Sequence, residues 1–280
     1  MARFRSAKSE AAHAVAQLDG IGIPRHGNKK DGKIHSFRTS DAYSQAIKNY
    51  IQWRIFNGFF DGLSGLTPLL ASAFLEERSD EIVQSHLDVE RRALALILSV
   101  KLKQVKSKVE NQTKQKCYTA QQVALVTDHQ SEKNNFSTRL SGATGVRAHE
   151  LLTLKYPREQ PKSDHRAWSN LRFKGLDTGV IMTVCGKGGL IREIFVPELL
   201  HAQLMSQFLS KQPKKVTDRK ITYITNFEIG GGQSWSQSFS SASKRVLGWS
   251  CGAHSLRHEY ARSRMETMQK LGLSYFDARK

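Results

Sequence analysis

The sequence predicts a mainly α-helical protein with one small antiparallel β-sheet, an α+β chain. Three observations predict it. Apolar residues recur at helical spacing through the first hundred residues. Two short β-rich runs, 180–185 (VIMTVC) and 191–197 (IREIFVP), flank the turn Gly186-Lys187-Gly188-Gly189, which is a hairpin signal. Helical patterns then resume towards the end of the chain.

The elements follow in order. Residues 20–40 hold five glycines and prolines among Lys, Arg and His, as a basic loop or flexible arm would. Ser40 and Asp41 are candidate caps for a helix whose apolar positions are Tyr43, Ile47, Tyr50 and Ile51. Thr67-Pro68 is a helix start leading into LLASAFLEER, and residues 80–102 suit one long helix. Residues 1–102 therefore form an all-helical module. Residues 103–118 (KQVKSKVENQTKQKCY) carry five lysines and almost no large apolar residue, as a solvated basic linker does. A second domain is expected over 119–280. It opens with a helix at TAQQVALV and continues with two helices over 133–155, broken at SGATG. The β-rich runs are RAWSNLRF, VIMTVC and IREIFVP, and helices return at 197–211, 234–247 and 254–271.

Composition narrows the function. The 280 residues suffice for two domains. Lys+Arg 43 against Asp+Glu 25 leaves a net charge of +18, which attracts polyanions at long range. Nucleic acid is the first candidate partner and an anionic membrane surface the second. The second weakens, because no stretch reaches the roughly 18 apolar residues of a spanning helix. The N-terminus also lacks the apolar core of a secretory signal. Cys117, Cys185 and Cys251 form no CxxC pair, so neither a disulfide framework nor a cysteine metal site is indicated. The expected compartment is a reducing cytoplasm.

Three clusters could carry chemistry. In Thr144-Gly145-Val146-Arg147-Ala148-His149-Glu150, Gly145 is expected to break one helix and Arg147 to open the next. Arg147 and Glu150 are three apart and can pair. A carboxylate that fixes a guanidinium plane suits an arginine that must grip a phosphate with two parallel hydrogen bonds. Alone, such a pair is more often a surface ion pair of small worth. In Val184-Cys185-Gly186-Lys187-Gly188-Gly189, with Arg192 beyond, the glycines permit a tight turn from which Lys187 projects, able to enter a groove or reach a leaving group. An ordinary turn with a solubilising lysine reads the same way. It is not a nucleotide-phosphate loop, because Gly188 stands where a Ser or Thr is needed, and Gly230-Gly231-Gly232 has no lysine after it. In Gly252-Ala253-His254-Ser255-Leu256-Arg257-His258-Glu259-Tyr260, a helix places His254 and Arg257 on one face and Leu256 with Tyr260 on another. A metal reading through His254 and His258, with Glu259 nearby, lacks the HExxH order and has an arginine between the ligands. Alone, the segment is equally a helix start with its polar side in solvent.

Together, two arginines, a lysine and a histidine match the needs of a metal-free attack on a phosphodiester. Guanidinium groups neutralise charge developing on the non-bridging oxygens. A lysine can protonate the leaving 5′ oxygen, and a histidine can orient the phosphate or move the nucleophile's proton.

At these residues the chain resembles the tyrosine recombinase family, of the phage-integrase type. TGVRAHELLTL is similar to its first arginine box, VCGKGGLIREIFVP to its hairpin lysine and HSLRHEYARSRM to its His-x-x-Arg box. The resemblance covers 119–271 by motif and 1–102 by architecture. It is strongest to integrases of prophages and integrative elements of proteobacteria. It implies a helical, SAM-like core-binding domain followed by a tyrosine-recombinase-like catalytic domain. Arg147 and Arg257 would hold the scissile phosphate, Glu150 would support Arg147, Lys187 would be the general acid and His254 the activating histidine. No cofactor, metal or nucleotide is implied. The partner would be double-stranded DNA, with a tetramer assembling on it in an intact protein and the protein associated with the nucleoid.

The family's Gly-His box and nucleophilic tyrosine have no match here. Only Tyr260 and Tyr275 follow Arg257, and a chain shortened before the nucleophile is expected. Three readings stay open: a site-specific DNA recombinase, a DNA-binding module without turnover, and, ranked last, a type IB topoisomerase-like enzyme.

Overall fold

A computed structural model describes residues 6–23, 31–110, 118–219 and 221–278. The chain divides into two compact units, residues 1–114 and 115–280, each with its own hydrophobic core. Mainly helical structure with small antiparallel sheets is the class the sequence predicts, but the described residues form two sheets rather than one.

The first unit holds helices α1 (Ala7–Ala16), α2 (Phe37–Phe56), α3 (Pro68–Arg78) and α4 (Gln84–Leu98). Helix α1, which the sequence reading did not single out, starts in a capping box of Ser6 and Ser9. Helix α2 begins earlier than Ser40, because the Ser36 hydroxyl accepts the Thr39 N–H and caps it there. Its Ile47, Tyr50 and Ile51 are buried, and Tyr50 meets Phe74 of α3 edge-on at 5.5 Å. Thr67 and Pro68 open α3 as expected. The predicted helix over 80–102 is shorter at both ends. Val83 is drawn into a bridge with Val109, and Ser99 stops α4 in a left-handed conformation.

The expected linker starts differently. Leu102 is buried in the helical core. Beyond it, Ser107 donates its hydroxyl to the Ile82 carbonyl (2.7 Å) and its N–H to Gln84 (2.9 Å). Residues 102–109 are thus strapped to the first unit, by the apolar packing of Leu102 and Val105 and by the hydrogen bonds of Ser107. The remaining linker residues 111–117, Cys117 among them, and residues 24–30 of the basic arm lie outside the described residues.

The second unit contains α5 (Ala120–Asp128), α6 (Glu132–Thr144), β1 (Gly179–Cys185), β2 (Ile191–Pro197), α7 (Glu198–Gln207), β3 (Leu209–Asp218), β4 (Ile221–Phe227), α8 (Gly232–Leu247), α9 (His254–Lys270) and the short α10 (Tyr275–Ala278). Strands β1 and β2 pair antiparallel from Gly179↔Pro197 to Cys185↔Ile191, as the glycine turn predicts. Met182, Val184, Ile194 and Val196 pack with Phe136, Leu140, Trp235, Phe239 and Leu256 in one core.

Three expectations are corrected here. Residues 145–155 form no second α-helix. After Gly145 the chain makes a turn and a 3-10 segment over Glu150–Thr153, because the Glu150 carboxylate takes the Arg147 N–H and closes a tight local loop. RAWSNLRF forms no strand. Trp168 donates its indole N–H to the Ser163 carbonyl (2.8 Å) and lies 5.0 Å from each of the Arg166 and Arg172 guanidinium carbons. The helix expected over 197–211 ends at Gln207 and gives way to the β3–β4 ribbon. That second sheet was missed because β3 reads LSKQPKKVTD, whose lysines and proline show no apolar alternation.

Candidate functional site

Helix α6 ends at Gly145, whose φ of +65° is the left-handed cap that glycine adopts without penalty. A side chain there would also overlap the Tyr260 ring, which packs against this turn. The turn aims the Gly145 carbonyl at α9, where Arg257 donates to it. Two residues on, Arg147 projects from the same turn.

Glu150 lies beneath Arg147 with its side chain fully buried. One carboxylate oxygen accepts from Arg147 Nη1 at 2.8 Å. The other accepts from the Arg147 backbone N–H at 2.8 Å and from Arg192 Nη2 at 2.7 Å. Burial pushes the Glu150 pKa upwards. The charge of Arg192, the Arg147 N–H and the guanidinium hydrogen bonds outweigh burial and hold it below the ordinary carboxylate value. Arg257 has its pKa lowered by burial and by the nearby charges of Arg147 and Arg192. Three guanidinium groups and one carboxylate therefore converge, leaving an excess of two positive charges. His149, in the same loop, has its pKa lowered mainly by burial.

The β1–β2 hairpin meets this cluster at its base. A methyl group on Gly186 would lie 3.1 Å from Glu150 Oε1 and 3.9 Å from Arg147 Nη1. Lys187 follows directly, exposed at the tip, with no hydrogen-bond or ion-pair partner among the described residues. Thr153 ties the hairpin to the Glu150 segment by accepting the Cys185 N–H at 2.9 Å.

Helix α9 is held at its start from across the unit. Buried Tyr118 stacks on Trp249 at 5.0 Å, and its hydroxyl accepts the Cys251 N–H at 2.7 Å. Gly252, at φ +75°, then turns the chain into α9, with the Ser255 hydroxyl closing on its carbonyl. His254 is the first residue of α9, exposed, with its ring edge-on to His258 at 4.9 Å.

Of the residues the sequence singled out, Arg147, Glu150 and Arg257 are brought together. Lys187 is placed beside them on the hairpin, and His254 stands one helical turn before Arg257. Among the described residues no group of three or more His, Cys, Asp or Glu could hold a metal ion. No described helix is long and apolar enough to cross a membrane. Two contributors were given no role from the sequence, although Arg192 was noted just beyond the hairpin turn. Arg192 is a charged residue in the otherwise apolar core-facing run of β2, opposite Val184, and that break in pattern was its signal. Tyr118 carried no signal, since its partners lie 125 to 133 residues away.

No family model matches the chain, and no curated protein sequence matches it. Solved structures do. The chain is similar to the XerH site-specific recombinase bound to palindromic difH substrate in a post-cleavage complex, with 14% identity and a TM-score of 0.53 over 98% of this chain and 89% of that one. It is similar to the same recombinase in a pre-cleavage complex with difH, with 12% identity and a TM-score of 0.50 over 99% and 93%. XerA recombinase matches with 14% identity and a TM-score of 0.35 over 92% and 85%. Identities this low establish a fold shared with the XerH structures and nothing beyond it. Function has to be argued from the site.

Proposed function

We propose that this chain belongs to a site-specific DNA recombinase of the integrase type, such as prophages and integrative elements carry, acting on double-stranded DNA through a 3′-phosphotyrosyl intermediate. One observation carries the reading: the buried Glu150 holds Arg147 and Arg192, while Arg257 is fastened to the Gly145 carbonyl beside them. Fixed guanidinium groups with surplus positive charge suit a phosphodiester whose non-bridging oxygens gain charge during attack.

In the reaction a tyrosine oxygen bonds to phosphorus and the bond from phosphorus to the 5′ oxygen breaks. Arg147 and Arg257 hold the non-bridging oxygens. Lys187 donates a proton to the leaving 5′ oxygen, and His254 takes the proton of the attacking hydroxyl. The phosphotyrosyl ester conserves the bond energy, so a 5′-hydroxyl of a second strand can reverse the step without ATP. Guanidinium groups supply the charge neutralisation that a metal supplies elsewhere. The helical unit would be the core-binding domain and the second unit the catalytic one, with tetramers forming on DNA.

A second reading is DNA occupancy without cleavage. It is favoured by Tyr260, whose ring is packed against the Gly145 turn and is thereby held back from attacking a phosphate. A pool of nicked duplexes with randomised sequence separates the two. A recombinase supplied with its nucleophilic tyrosine gives a denaturant-resistant, protease-sensitive protein–DNA adduct, lost in Arg147→Ala and Arg257→Ala. Binding alone gives a gel shift and no adduct. Absence of both at low salt overturns the DNA assignment.

A further inference from the structure

We propose that Arg192 is a positioning residue of the phosphate-binding site: acting through Glu150, it holds the guanidinium plane of Arg147, so that strand β2 and the turn after α6 work as one unit. The inference rests on reading Arg147 and Arg257 as a phosphate seat.

Glu150 is shared between two guanidinium groups of unequal exposure. Arg147 keeps 36% of its side chain exposed, whereas Arg192 keeps 18% and its Nε is buried without a hydrogen-bond partner among the described residues. Arg192 therefore faces the protein and Arg147 faces outwards. A fully buried carboxylate is costly unless it is paired and hydrogen-bonded. It must also stay ionised to accept from Arg147 at both the backbone and the side chain. The inward arginine supplies compensation that the outward one cannot give while it serves a ligand. Other groups that act on Glu150 are Arg257, His149 and Cys185, at longer range than the two bonded arginines. Gly186 lets the hairpin come close enough for the contact, since a side chain there would crowd Glu150 Oε1. The arrangement also fastens the Lys187 hairpin to the arginine turn by a charged bond 42 residues apart in sequence.

The test uses the full chain, with inorganic phosphate as the probe and NMR of the arginine side-chain N–H groups and the Glu150 carboxyl carbon as the readout. Wild type should show phosphate-dependent shifts at Arg147 and Arg257 and a Glu150 carboxyl that titrates below the ordinary carboxylate range. Arg192→Met should weaken phosphate binding roughly tenfold, the scale of one charge-assisted hydrogen bond, and move the Glu150 titration to higher pH. Arg192→Lys, which keeps the charge and loses the fork, should fall between the two and guards against a Met variant that does not fold. Equal phosphate affinity in wild type and both variants, with only a lower melting temperature, would overturn the positioning role and leave the phosphate seat standing. No phosphate response in wild type at either arginine would overturn the seat and the role together.

Discussion

Gly145 shows how much of the site depends on single residues. It needs a left-handed backbone, it leaves room for the Tyr260 ring, and its carbonyl receives Arg257. Gly145→Ala should therefore cost about 2–4 kcal/mol, combining backbone strain with overpacking; a smaller shift in a urea unfolding curve would show that the turn can relax. Glu150 governs a pH response. Its folded pKa is depressed, so its stabilising contribution is present above the unfolded carboxylate value near 4.5 and is lost as pH falls through the lower folded value. Unfolding midpoints measured from neutral pH downwards should fall less steeply in Glu150→Gln than in wild type, and the variant should be less stable at neutral pH. Parallel curves would mean that other carboxylates carry the acid response. Arg147 and Glu150 were legible from their spacing. Arg192 was not, because its role arises from the strand register that places it opposite Val184.

Elements carry a different kind of information. The β1–β2 hairpin was readable because its glycine turn and its apolar strands agree, and the helix start expected at TAQQVALV is α5, which Thr119 and Gln122 cap reciprocally. The β3–β4 ribbon was not readable, since its stability comes from pairing rather than from an apolar face of β3. Lys187, exposed and unpartnered among the described residues, should be dispensable for folding. Lys187→Ala should change stability by less than about 0.5 kcal/mol while slowing formation of any covalent DNA adduct by about a hundredfold or more; equal rates would remove it as the acid. The strap over residues 102–109 makes the opposite prediction. Leu102→Ala should cost about 2–5 kcal/mol, because a buried leucine is removed from the helical core. An unchanged chemical-denaturation midpoint would show that Leu102 adds nothing to that core.

At the scale of the whole molecule, the net charge of +18 sets the long-range behaviour and the two units keep separate cores. Duplex DNA binding should weaken by roughly 10³-fold or more between 50 and 200 mM salt, the response of a protein that neutralises six or more phosphates. Fluorescence anisotropy against salt checks this, and a flat dependence would show that the charge is not directed at a phosphate backbone. The likeness to XerH extends over nearly all of this chain. At 12–14% identity it fixes the fold and leaves the chemistry to the arginine cluster.

The amino-acid order alone determined the fold class, the principal hairpin and the local pairing of Arg147 with Glu150. Each of these depends on neighbours a few residues apart, where periodicity, caps and glycine turns act directly. Only the tertiary structure decided that Glu150 is fully buried, that Arg192 shares it, that Arg257 fastens to the Gly145 carbonyl and that Tyr118 holds the start of α9. Those contacts join residues 42 to 133 positions apart. Their energies come from burial and from charge brought into a low-dielectric interior, and neither exists until the chain has packed.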